Sequence, residues 1–154
     1  MSGREKQNEI EALLPHRDPF LFVDGIVSAD TGKIVARHVF TEKDFFFQGH
    51  FPQYPVTPGV ILLETLAQSG GAGLRKLGLL GGDALFFLAS IDKVRFRRRV
   101  LPGEEVRSEI RNLRVSARTI RQAGKAYVGD ELAAEAEWLC VVSDPQPAPP
   151  PDPR

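Results

Sequence analysis

A chain of 154 residues is long enough for one domain with a substantial core. Its 20 basic and 20 acidic residues cancel, which removes the global attraction to nucleic acid that a basic protein would have. A single cysteine, Cys140, excludes an internal disulfide and suits a reducing cytoplasm; the opening eight residues are too polar for a signal peptide, and no run of transmembrane length is free of charges, so stable membrane insertion is not expected.

In chain order, Asn8 offers a cap for a short helix, Glu9 to Leu14, which Pro15 ends. Residues 20–28 read as a buried strand, Asp30-Thr31-Gly32 as a turn and residues 33–40 as a second strand. A loop containing Gly49-His50-Phe51-Pro52 follows, with Tyr54–Pro55 as a candidate cis bond. Thr57 then suits an N-cap and Pro58 a first helical turn, with the helix running to about Leu77 and stopping at Gly78. Gly78, Gly81 and Gly82 mark a loop, and residues 84–100 read as one long, bent strand. Pro102-Gly103 turns the chain into strands at about 104–116, 119–128 and 131–142, the last two joined by a Gly129-Asp130 hairpin turn. In the final strand Leu132, Ala134, Ala136 and Trp138 alternate with Glu131, Glu135 and Glu137, the period of a half-buried strand.

Two strands, a long helix and four hairpin-linked strands predict an α+β fold, an antiparallel six-stranded sheet wrapped around one long central helix. Residues 1–143 form that single domain, and the proline-rich segment 144–154 is expected to be an extended, disordered tail. From Val60 the helix is apolar nearly all round, so it is expected to be buried. Two features do not suit a plain core helix. Glu64 lies among Leu62, Leu63 and Leu66, where a carboxylate costs several kcal/mol unless it is paired or has a task. Gly70, Gly71 and Gly73 each cost about 1 kcal/mol relative to alanine and are tolerable if another backbone packs very close, as for a helix gripped by a sheet. Glu64 and Gln68, four apart, share a face, and His50 lies just upstream. Histidine and buried glutamate are the commonest acid–base pair. On spacing alone they are equally an arginine-paired glutamate and an ordinary loop histidine.

Longer motifs separate those readings. Gly49-His50-Phe51-Pro52, Pro55-Val56-Thr57-Pro58-Gly59-Val60 and Glu64-Thr65-Leu66-Ala67-Gln68 together resemble the Z-type (3R)-hydroxyacyl-acyl-carrier-protein dehydratases of fatty-acid synthesis. Leu14-Pro15-His16-Arg17, Pro19-Phe20-Leu21, Val23-Asp24 and Ile91-Asp92-Lys93-Val94-Arg95-Phe96 extend the resemblance from about Ile10 to Val142. It implies the hotdog fold and loss of water from a (3R)-3-hydroxyacyl thioester to give the trans-2-enoyl thioester. The substrate would be carried on the phosphopantetheine of an acyl carrier protein, with no further cofactor and no metal. The resemblance places catalysis on His50 as base and Glu64 as acid, facing each other across a homodimer, and allows three such dimers to associate. Gly59, with Val60 beside it, would offer N–H groups at the helix start to the thioester oxygen. Gln68 would either hold the Glu64 carboxyl or simply satisfy itself at an interface.

His16 and His38 read as structural or exposed, and no metal-ligand spacing is present. Lys93, Arg95, Arg97 and Arg99 alternate onto one side of a strand, opposite Val94, Phe96 and Val100, as a solvated face or as a dock for an acidic carrier. The chain departs from the family pattern at Asp18, Gly25, Arg99 and Glu104, where tyrosine, arginine, proline and aspartate are usual. Those departures leave the acyl preference open and admit a specialised polyketide or lipid-pathway dehydratase. A hotdog acyl thioesterase and a non-catalytic carrier-binding module are the readings from other classes.

Overall fold

The computed structural model describes residues 2–144; most of the expected proline-rich tail lies outside the described residues. The first helix, α1 (Gly3–Leu13), starts six residues before Glu9, the start expected from an Asn8 cap. Its cap is Ser2, whose hydroxyl accepts the Glu5 N–H (3.2 Å) while the Glu5 carboxylate accepts the Ser2 N–H (2.6 Å). Ile10 and Leu14 anchor α1 to Val23, Ala36 and Ala72.

Strands β1 (Gly25–Ala29), β2 (Lys33–Val39), β3 (Leu85–Phe96), β4 (Glu105–Val115), β5 (Thr119–Val128) and β6 (Glu131–Ser143) form one sheet in the order β1-β2-β4-β5-β6-β3. Every neighbouring pair is antiparallel. The long helix α2 (Gly59–Lys76) touches all six strands. Alternation sends Ile34 of β2, Val106 and Ile110 of β4, and Ala134, Ala136 and Trp138 of β6 inward, where they cluster with Leu62, Leu66 and Leu74 of α2, while Ala36 of β2 packs with Ala72 of α2.

The three helix glycines have close neighbours, but these are side chains and not the backbone the sequence suggested. A Cβ on Gly70 would fall 2.2 Å from Gln122 Oε1, on Gly71 2.2 Å from the Phe86 ring and on Gly73 2.4 Å from Ile34. The turn residues Gly103 (φ 89°) and Gly129 (φ 58°) occupy the left-handed region.

Several boundaries differ from the sequence reading. Residues 20–24 are not strand. Their burial comes from packing over α2, and the Phe22 N–H is taken by the Gln68 side chain at 2.8 Å in place of a neighbouring strand. Thr57 does not cap α2: Pro58 holds that position, the Thr57 N–H goes to Val100 O (2.8 Å) and its buried hydroxyl has no partner. Strand β3 ends at Phe96, four residues early, after bulges at Leu88/Ser90 and Asp92/Arg95. The cis peptides are Asp18–Pro19 and His50–Phe51, and Tyr54–Pro55 is not among them.

The sheet leaves part of α2 uncovered. Val60 is 70% exposed, and Leu63 and Glu64, one turn on, are half-buried. No helix among the described residues is long and apolar enough to cross a membrane.

Candidate active site

His50 is set by a short 3-10 helix, Phe45–Gln48, which buries Phe46 and Phe47. Its N–H donates to Phe46 O (2.9 Å), and its carbonyl accepts the Val56 N–H (3.0 Å). The ring nitrogen Nδ1 lies 2.9 Å from Val56 O. A carbonyl can only accept, so Nδ1 carries the hydrogen and Nε2 is left with a bare lone pair. That tautomer makes Nε2 a base. Phe51 stacks on the imidazole, centroids 4.3 Å apart.

Glu64 is held from the other side. Gln68 is fully buried and fully bonded: its Oε1 accepts the Phe22 N–H (2.8 Å), and its Nε2 donates to Phe20 O (3.0 Å) and to Glu64 Oε1 (3.1 Å). The two backbone partners fix which end of the amide is nitrogen, so the group facing Glu64 is a donor. Glu64 Oε1 is therefore an acceptor, and Oε2 is the oxygen available to carry a proton. Burial first, then the Glu64 charge, push the Cys140 thiol up to about 12. Cys140 stays protonated and is no nucleophile.

The start of α2 opens into a cavity of about 720 Å³ lined by Val56, Thr57, Gly59, Val60, Phe96 and Arg97–Arg99 among others. Gly59 and Val60 precede the first intrahelical donor, Ile61, whose N–H goes to Pro58 O at 2.9 Å. Their N–H groups are free in the sense of a helix start. Glycine at 59 has a steric reason too, since a Cβ there would meet the Phe96 ring at 2.8 Å.

No hydrogen bond or ion pair joins His50 to Glu64 within the chain. Their supports are separate, and Glu64 lies on the α2 face the sheet leaves open. The expected basic face does not form as one stripe. The Asp92/Arg95 bulge, with Lys93 at φ 52°, breaks the alternation, and Arg97–Arg99 lie beyond the strand end. Lys93 pairs with Glu137 (3.3 Å) and Arg97 with Glu135 (3.4 Å). Arg95 Nη1 donates to Val94 O (3.1 Å), and Arg99 lies over the Tyr54 ring at 5.5 Å. Arg98 grips Glu104 through two bonds (3.0 and 2.7 Å), which holds the Glu104 carboxyl below its ordinary value. Glutamate at 104 is thus long enough to reach this arginine.

His38 behaves as a structural residue: its Nδ1 donates to Asp24 Oδ1 (3.0 Å), and its ring packs edge-on to Phe40 at 4.5 Å. His16 does not behave as the sequence suggested. Its Nε2 lies 3.5 Å from Glu64 Oε1, so a residue read as structural or exposed adjoins the candidate acid. Only the Leu-Pro-His-Arg motif could have flagged it, because 48 positions separate it from Glu64 and no periodicity links them.

A model of the FabA-like domain matches residues 14–137. The 3-hydroxyacyl-acyl-carrier-protein dehydratase FabZ of Pelotomaculum thermopropionicum is 44% identical, the match covering 88% of this chain and 96% of that one. Its counterpart in Desulforamulus reducens is 43% identical over 88% of this chain and 95% of its own. Among solved structures, the dehydratase heterocomplex ApeI:P from Xenorhabdus doucetiae aligns with a TM-score of 0.74 at 15% identity, covering 88% of this chain and 91% of that one, a likeness of fold.

Proposed function

The chain belongs to the FabA-like family, among the FabZ-type dehydratases, and from that premise we propose that it removes water from (3R)-3-hydroxyacyl groups borne by an acyl carrier protein. The product is the trans-2-enoyl thioester, as required in fatty-acid or related acyl-chain synthesis. His50 Nε2 takes the C2 proton, and the electron pair left behind forms the C2–C3 double bond. Glu64 Oε2 gives its proton to the 3-hydroxyl, which leaves as water. The Gly59 and Val60 N–H groups stabilise negative charge on the thioester oxygen while the C2 proton departs. His50 then loses a proton and Glu64 regains one, so the cycle consumes none.

The observation that carries this reading is the complementary preparation of the two groups. A backbone carbonyl occupies His50 Nδ1 and leaves Nε2 as base, whereas a buried amide occupies Glu64 Oε1 and leaves Oε2 as acid.

We further propose that the two meet across a twofold dimer. The open α2 face carrying Val60, Leu63 and Glu64 supports this, as does the free edge of β3, where Phe87, Leu88 and Ile91 are 54%, 39% and 37% exposed. The carrier would deliver its phosphopantetheine to the cavity at the start of α2, where Arg99, outside the carboxylate pairs that hold Arg97 and Arg98, supplies positive charge for an acidic partner. The unpaired, buried Cys140 is consistent with a cytoplasmic setting.

The test incubates the chain with (3R)-3-hydroxyacyl carrier protein and follows enoyl absorbance alongside free thiol. Enoyl without thiol is expected, and thiol without enoyl makes the chain a thioesterase. His50→Ala and Glu64→Gln should each lose about a hundred- to ten-thousandfold in rate while remaining folded.

A further inference from the structure

His16 lies in the turn after α1. The next residue, Arg17, ties that turn down: its Nη1 donates to Leu14 O and His16 O (both 2.7 Å), and its Nη2 to Glu11 O (3.1 Å). The imidazole rests against Phe86, centroids 5.7 Å apart, and Phe86 is itself seated over Gly71. These supports set Nε2 3.5 Å from Glu64 Oε1, with Nδ1 buried and without a partner.

We propose that His16 is a positioning residue for the Glu64 acid: with the Gln68 amide it holds Oε1, so that Oε2 faces the leaving hydroxyl. The proposal rests on the dehydration reading. Both nitrogens converge on the same oxygen, Gln68 Nε2 at 3.1 Å and His16 Nε2 at 3.5 Å. The second contact is longer than the usual N–H···O range of about 2.7–3.2 Å, and contacts of this kind tighten when substrate binds. One donor fixes a carboxyl oxygen in distance; two donors from different elements also fix the rotation of its plane.

The type of donor matters. Burial, the largest influence, lowers His16; the Glu64 charge raises it and Arg17 lowers it, and the net shift is downward. The ring is thus neutral at neutral pH and orients the carboxyl without a full positive charge. An arginine there would hold Glu64 as carboxylate and remove the proton the acid must give. Because Nδ1 is buried, the ring is no conduit from solvent, and His16 acts as a fixed donor and not as a relay.

The experiment compares His16→Phe, which keeps the packing on Phe86 without a donor, with His16→Gln, which restores an N–H at similar reach. Melting temperature, kcat and KM are measured on 3-hydroxyacyl carrier protein. The Phe variant should lose about tenfold in kcat with KM within about twofold, as misorientation of one group predicts. The Gln variant should recover to within about threefold of wild type. A wild-type kcat in His16→Phe overturns the proposal, as does a Gln variant no faster than Phe at equal stability. If His16→Phe fails to fold, the Gln variant decides alone: a kcat within about threefold of wild type upholds the proposal, and a loss of about tenfold or more at unchanged melting temperature overturns it. Failure of the dehydration reading would show separately, as absence of enoyl product from the wild-type chain.

Discussion

Replacing Gln68 by methionine isolates the most connected side chain of the site. Methionine matches glutamine in length and fills much the same space, so little cavity opens. What it removes is three hydrogen bonds. The Phe22 N–H, on a residue only 1% exposed, would be orphaned, and the Phe20 carbonyl would lose its donor but can turn to water because Phe20 is 42% exposed. An orphaned buried N–H costs about 1–3 kcal/mol, and losing the other backbone bond adds roughly 1 kcal/mol. At about 2–4 °C per kcal/mol for a chain of this size, the melting temperature should fall by roughly 5–15 °C. Urea denaturation should show the same loss in midpoint with an unchanged slope. Turnover at a temperature where the variant is folded should also drop, since Glu64 Oε1 loses its 3.1 Å partner. A melting temperature within about 2 °C of wild type would refute the claim that Gln68 ties the 20–24 segment to α2.

Gly71→Ala would push a methyl to 2.2 Å from the Phe86 ring, so overpacking of about 1–3 kcal/mol is expected, with a fall in kcat as Phe86 shifts under His16. Gly81→Ala, which meets nothing within 4 Å, is the control and should be near neutral in thermal denaturation. At Asp24, burial raises the carboxyl, but the His38 hydrogen bond and charge, the Val39 N–H and Arg37 outweigh it and leave it below its ordinary value. A lowered carboxyl contributes stability that is fully present above the unfolded value of about 4 and is lost as pH falls through the folded value. Asp24→Asn should therefore cost roughly 1 kcal/mol at pH 7, discounted for partial exposure, and the gap in melting temperature should narrow as pH falls below the unfolded value of about 4.

Features encoded by a single residue's backbone needs were legible in the sequence. Gly70, Gly71 and Gly73 announced a helix gripped by the sheet, though the groups that meet them are side chains and not the expected backbone, and Gly103 and Gly129 announced turns. The antiparallel β1–β2, β4–β5 and β5–β6 pairs followed from their short links, but β3, expected to turn back onto β4, pairs with β6 at the sheet edge and leaves β4 to β2, which no link announces. The start of α1 was missed: Ser2 and Glu5 stand at capping-box spacing, but Asn8, nearer the apolar residues, took the assignment. The run from Phe20 to Asp24 misled because burial and strand pairing produce the same pattern of apolar residues; only a side chain 46 positions away, Gln68, distinguishes them. The basic stripe failed because a bulge shifts parity, and nothing in Lys-Val-Arg-Phe-Arg marks where one falls. His50 and Glu64 could be named from motifs, whereas the contact of His16 with Glu64 depends on Phe86 and Arg17, which no local pattern connects to the helix.

The shared site is the central claim, and complementation tests it most directly. His50→Ala and Glu64→Gln chains, each nearly inactive alone, are unfolded, mixed in equal amounts and refolded together. Random pairing makes half the dimers mixed, each with one of its two sites intact, so activity should return to about a quarter of wild type per chain. Co-assembly of the two variants without any return of activity would contradict the account and place both residues in a site built by one chain.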